Sequence, residues 1–138
     1  MNKIIIDTNA LISFVTDRNL KQQKKITQLL HNASRLKITI LCHHHVISEF
    51  VYVLSSIYNC RNEDIHRMIS DFIAMPGIEI TTEVNLTTLL NYWPKRITDY
   101  GDAVIAAQCK NNKGTAIATF DKKFKKSVED IGLQTFDF

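Results

Sequence analysis

Four short runs rich in β-branched residues constrain the fold of this chain more than anything else in it. They are KIII (Lys3–Ile6), KITIL (Lys37–Leu41), IEIT (Ile78–Thr81) and TAIATF (Thr115–Phe120). The first has no polar alternation, the mark of a strand buried on both faces of a parallel sheet. Between the runs, apolar residues fall at helical spacing. Leu11, Ile12 and Val15 begin one stripe, and Ile26, Leu29, Leu30 and Ala33 another. Val46, Ile47, Phe50, Val51, Val53 and Leu54 mark a long apolar helix. Ile65, Met68, Ile69, Phe72 and Ile73 mark a further one, which Asn62 is placed to cap. Pro76-Gly77 signals a turn, and Leu86, Leu89, Leu90 and Trp93 form a short helix ended by Pro94. The small residues of DYGDAVIAAQCKNN (Asp99–Asn112) suit a helix packed closely on a sheet, with Gly114 as its stop. A short basic helix follows TAIATF, and LQTF (Leu133–Phe136) is a candidate last strand. Strands alternating with helices predict an α/β sandwich with a mostly parallel sheet.

Length and composition narrow the class. The 138 residues, with 4 Gly and 2 Pro, predict one domain over residues 1–138 and no long linker. Apolar residues make up 45% and charged residues 22%, an ordinary globular balance. No apolar run approaches the roughly 18 residues that span a bilayer. Asp7 interrupts the opening apolar run too early for a signal peptide. Cys42, Cys60 and Cys109 form no CxxC pair, which suits reduced thiols. The expectation is a cytoplasmic protein. A net charge of +3 permits an anionic partner without demanding one.

In open parallel sheets, sites form beyond the carboxyl ends of the strands. Asp7 directly follows KIII, and Thr119 and Asp121 follow AIA. Asp102 opens the helix before the fourth strand, and Glu49 lies near the start of the helix after the second. Four carboxylates thus fall where they can converge on one edge. An unpaired charge after a buried strand is costly, and Glu49 inside the apolar VISEFVYVL needs a partner or a cation. If the four converge, their repulsion must be relieved by protonation or by cations. Hard divalent ions with oxygen ligands do this, and two of them roughly 4 Å apart support phosphodiester hydrolysis.

These pieces together resemble the PIN-domain family, and most of all its VapC-type toxins. The resemblance rests on IIIDTNALI (Ile4–Ile12), VISEFVYVL (Val46–Leu54), DYGDAVIAA (Asp99–Ala107) and ATFDKKF (Ala118–Phe124), which span nearly the whole chain in order. It implies a three-layer α/β/α sandwich and a single-strand endoribonuclease dependent on Mg²⁺ or Mn²⁺. It carries the catalytic, metal-binding acids onto Asp7, Glu49, Asp102 and Asp121. It places Asn9 where a residue helps to order water, and Thr119 where a hydroxyl precedes the last acid. It also implies a homodimer and a small antitoxin that covers the groove, with an RNA substrate such as tRNA or rRNA.

Other residues keep two readings each. Asp99 is either the cap of its helix or a further ligand. Lys122 and Lys123, with Lys125 and Lys126, are either a solvated helix face or contacts to RNA phosphates, and Lys95 and Arg96 share that choice. Tyr100 and Trp93 are candidates for base stacking, with Trp93 better suited to the core. CHHH (Cys42–His45) is a poor zinc site, because neighbouring ligands point apart and no second pair lies nearby. His45 alone shares a helix face with Glu49. Two other classes remain in view. A silent RNA-binding or interaction domain keeps the fold and loses the metal. A phosphotransfer enzyme with Asp7 as nucleophile lacks its general acid, because position 9 is Asn.

Overall fold

The computed structural model describes residues 2–138. In chain order the elements are β1 (Asn2–Ile6), α1 (Thr8–Val15), α2 (Leu20–Ser34), β2 (Ile38–His43), α3 (His44–Ser56), α4 (Asn62–Ala74), β3 (Ile78–Thr81), α5 (Leu86–Tyr92), α6 (Tyr100–Asn111), β4 (Thr115–Ala118) and α7 (Lys122–Asp130). The strands form one all-parallel sheet in the order β3-β2-β1-β4. Helices cover both faces, giving a three-layer α/β/α sandwich. Parallel strands need crossover connections, which is why a helix or helix pair stands between each pair of strands.

Ile4, Ile5 and Ile6 are buried because β1 is an inner strand, paired with β2 through Ile4↔Ile40 and with β4 through Ile5↔Ile117. From β1 the chain steps outward through β2 to β3, then crosses back to lay β4 on the other side of β1. The topological switch therefore falls between the carboxyl ends of β1 and β4, at Asp7 and Thr119. That is where open α/β sheets place their ligand crevices. Helix α6 packs against β1 and β4 and is buried on nearly every side from Ala103 to Cys109. Its small residues let the backbone come close to the sheet.

The alternation expected from the sequence is present, with local differences. Strand β2 runs two residues further than KITIL and takes in Cys42 and His43, both buried. Helix α4 starts at Asn62 itself. Arg61 holds the cap position without a side-chain bond, and Glu63 and Asp64 complement the exposed amides of the first turn. LQTF does not form a ladder. It joins the sheet through a single bridge, Ile117↔Thr135, backed by Ile117 N–H to the Gln134 carbonyl and Phe136 N–H to the Ile117 carbonyl. Gly77 is required by its turn, since its φ is +82° and a Cβ would lie 2.2 Å from the Ala33 carbonyl oxygen.

Candidate active site

Three acids reach the site because they start helices. Asp7 caps α1, its Oδ1 accepting from Ala10 N at 2.9 Å. Asp99 caps α6, its Oδ1 accepting from Asp102 N at 2.9 Å. Asp121 caps α7, its Oδ1 accepting from Lys123 N at 2.9 Å and Phe124 N at 3.1 Å. One hydroxyl joins two of them. Thr119 donates to Asp7 Oδ2 at 2.5 Å and accepts from Asp121 N at 3.1 Å. Glu49 arrives from α3, and Thr8 donates to its Oε1 at 2.7 Å.

Asp7, Glu49, Asp99, Asp102 and Asp121 line one pocket of about 210 Å³, together with Thr8, Asn9 and Gly101. The four acids singled out from the sequence are thus brought together, and Asp99 joins them while also capping α6. Burial and crowding set their ionisation. Asp7 is 5% exposed. Burial pushes its carboxyl up to about 6, against the pull of Thr119 and Ala10, with the Asp121 charge adding to the rise. Asp102 is pushed up to about 7, by burial first and then by Asp99, Asp7, Asp121 and Glu49 in turn. Desolvation and like charge act in the same direction here.

The chemistry of this donor set fits a hard cation: the acids offer carboxylate oxygens, and added positive charge would draw protons off Asp7 and Asp102. The spacing is looser than a finished cage. Among the described residues no group of three or more His, Cys, Asp and Glu side chains is set to hold an ion.

The supporting candidates divide. Asn9 is exposed at the rim, and Thr119 is buried with its hydroxyl fully engaged. Lys123 lines the adjoining pocket of about 220 Å³ with Asp99, Asp102 and Asp121. Lys122 is exposed and bonded to none of the acids. Lys125 binds Asp137 at 2.7 Å and Lys126 lies 3.6 Å from Asp130, so those charges are spent on their own surface. Lys95 and Arg96 are exposed between α5 and α6 and line neither acid-bearing pocket. Trp93 meets Tyr100 edge to face at 5.4 Å and donates to the Thr98 carbonyl, bracing the entry to α6.

The histidine run is structural for the most part. His43 is buried and caps α3, its Nδ1 accepting from His45 N while Nε2 donates to the Glu83 carbonyl at 3.1 Å. Burial holds it below the usual histidine range. Burial also pushes the Cys42 thiol up to about 12. His44 is exposed. His45 Nε2 lies 3.5 Å from Glu49 Oε1 and has no closer polar partner.

Three residues escaped the sequence reading. Thr8 is visible only as the residue after the capping acid. Gly101 sits between two acids, and a Cβ there would meet His45 Nε2 at 2.8 Å and both Glu49 oxygens at 3.1 Å. Arg18 is bonded to the Asn9 carbonyl at 2.8 Å. Its place depends on how α1 turns into α2, which no local pattern reveals.

Comparison with known proteins fits this arrangement. A model of the PIN domain matches residues 4–128. A search of curated protein sequences finds no match. Among solved structures, VapBC2 from Rickettsia felis bound to a DNA fragment from its promoter is similar, with 18% identity, a TM-score of 0.62, and 90% of this chain and 92% of that one covered. PAE2754 from Pyrobaculum aerophilum is similar at 17% identity and a TM-score of 0.63, covering 94% and 93%. The PIN domain endonuclease Utp24 is similar at 17% identity and a TM-score of 0.57, covering 98% and 96%. At these identities the likeness speaks for the fold.

Proposed function

The chain belongs to the PIN domain family, and from that premise we propose that it is a metal-dependent endoribonuclease cutting phosphodiester bonds at the pocket of Asp7, Glu49, Asp102 and Asp121. One observation carries this reading. Acids from four separate chain segments meet in one pocket, and two of them are held partly protonated near neutral pH. Bound Mg²⁺ or Mn²⁺ would supply the Lewis acidity and water activation of phosphodiester hydrolysis. The chain's own residues do the rest. Asp7, Glu49, Asp102 and Asp121 would hold the ions, with Asp99 able to add its free oxygen. Thr119 fixes Asp7 relative to the start of α7, and Thr8 fixes Glu49. Asn9 at the rim orients water, and Lys123 offers a positive charge to a phosphate beside the acids.

The VapC-like sequence pieces and the Rickettsia felis VapBC2 likeness support a finer reading. The protein would be the toxin of a toxin–antitoxin pair, a single cytoplasmic domain acting as a homodimer, held silent by a cognate antitoxin, with tRNA or rRNA as target. Among the described residues no helix is long and apolar enough to cross a membrane. The alternative is a PIN nuclease of RNA processing that is not a toxin, and the likeness to the PIN domain endonuclease Utp24 supports its endonuclease part. A catalytically silent RNA-binding domain draws support from one fact: among the described residues, no side-chain group is already set to hold an ion.

The test is cleavage of total tRNA and rRNA with Mg²⁺, comparing the wild type with Asp7→Asn and Asp102→Asn. Each substitution is expected to abolish cutting. Undiminished cutting removes these residues from the site. Calorimetric titration with Mn²⁺ separates the nuclease from the silent domain, since only the nuclease binds the ion.

A further inference from the structure

Two pockets share Asn9 and Asp121 in their linings. One is the acid pocket, which at about 210 Å³ is below the ~300–1,000 Å³ usual for ligand clefts. The other, of about 380 Å³, is walled by Arg18, Asn19, Gln22 and Phe120. The acid pocket has room for ions and a phosphate. The body of a substrate must lie next door.

Arg18 gives the neighbouring pocket its character. Its Nε and Nη2 donate to Ser13 Oγ at 3.1 and 2.8 Å, and Nη2 also donates to the Asn9 carbonyl at 2.8 Å. Ser13 is fully buried and donates onward to Gln22 Oε1 at 2.9 Å. Every acceptor around the guanidinium is neutral. No carboxylate among the described residues pairs with it. The head is thus held in place without an ion pair, in a pocket that Asp121 also lines, and its Nη1 has no partner among the described residues. Gln22 and Asn19 add further donors beside the Asp121 carboxylate. Gln22 has given its oxygen to Ser13, and Asn19 has given its oxygen to Gln22 N, which leaves both side-chain amide nitrogens free. Phe120 adds an apolar wall, its ring fixed by stacking on Phe138 with centroids 4.2 Å apart.

We propose that this pocket is the subsite for the nucleotide adjoining the cut in a single-stranded RNA. The phosphate of that nucleotide binds Arg18 Nη1, and its sugar and base lie between Phe120 and the amides of Asn19 and Gln22. The proposal rests on the nuclease reading, and it solves a difficulty in it. A cluster of carboxylates repels the phosphate backbone it must cut. A planar guanidinium on one side of Asp121 and Lys123 on the other supply the attraction that the centre lacks.

The test measures binding of a fluorescein-labelled oligouridylate by anisotropy across a range of KCl concentrations, in excess EDTA so that nothing is cut. Arg18→Gln is expected to weaken binding about tenfold and to lower the log–log salt slope by about 0.7, one phosphate contact on a single strand. Arg18→Lys keeps most of the slope. Arg35→Gln removes the same charge from an exposed site at the end of α2 and leaves the slope near wild type. On the unaltered protein, the Arg18 Nε–H resonance shifts when the oligonucleotide is added. Coincident curves for Arg18→Gln and Arg35→Gln, or an unmoved resonance, overturn the subsite. Because no metal is present, failure of the nuclease reading looks different: Arg18-dependent binding persists while Mg²⁺-dependent cleavage is absent.

Discussion

Replacing Asp7 with Asn should make the ion-free protein more stable at neutral pH. Asp7 titrates at about 6 in the fold against an ordinary 3.8. Its folded value is raised, so the fold binds this proton more tightly than the open chain does. That advantage is complete below pH 3.8 and is lost as pH rises to about 6 and beyond. At ~1.36 kcal/mol per tenfold change in proton affinity, full ionisation costs the fold about 3 kcal/mol. About 2 kcal/mol of this falls between pH ~4.5 and ~7.5. Asn carries no charge and escapes the whole cost. It also turns an amide toward Thr119 Oγ1, which already accepts from Asp121 N, and the lost bond costs about 1 kcal/mol. The two proteins should therefore be about equally stable near pH ~4.5, with the variant ahead by about 2 kcal/mol near pH ~7.5. Urea denaturation in EDTA, followed through the single Trp93, reads this directly. A gap between the proteins that does not change with pH would show that Asp7 carries no raised affinity for its proton.

Mn²⁺ at ~100 times its dissociation constant should add about 2.7 kcal/mol of stability at pH ~7.5, and clearly less near pH ~5, where Asp7 and Asp102 hold their protons; melting curves at both pH values test this. Gly101→Ala should weaken Mn²⁺ binding about tenfold while costing under about 1 kcal/mol of stability, because the new methyl meets side-chain ends of Glu49 and His45 and no backbone; calorimetry and melting read the two effects separately. Thr119→Val should destabilise by about 1–3 kcal/mol, since it strips Asp121 N and Asp7 of a buried partner. It should also raise the Asp7 titration further, visible in carboxyl-carbon NMR shifts, because the lost bond was lowering it.

The strand ends and helix starts were legible because each depends on a few neighbouring residues. Asp7, Thr119 and Asp121 follow apolar runs directly, so a parallel sheet alone brings them to one edge. Glu49 was legible as a position but not as an environment. Counted along the sequence, its helix is apolar throughout. Folded, the buried stripe is Val46, Phe50 and Leu54, and Glu49 sits at its margin with its side chain 42% exposed toward the groove. Thr8, Gly101 and Arg18 matter through contacts with α3 or with the turn into α2, and such approaches leave no periodic trace. Asn62 misled for the opposite reason: it is a good capping residue by type, yet the helix starts on it and not after it.

Asp7, Asp99 and Asp121 each commit one carboxylate oxygen to the backbone amides of a helix start. Those amides are therefore native reporters of the site. Where one of these carboxylates gives its capping oxygen to an ion, the N–H groups it caps among Ala10, Asp102, Lys123 and Phe124 lose their acceptor. Their hydrogen exchange should quicken while that of the buried strands stays unchanged. Occupancy could then be followed residue by residue with no substrate present. Asn, which caps a helix about as well as Asp, would keep these amides protected where Ala would not. An alanine scan of these acids would therefore confuse frayed helices with lost chemistry.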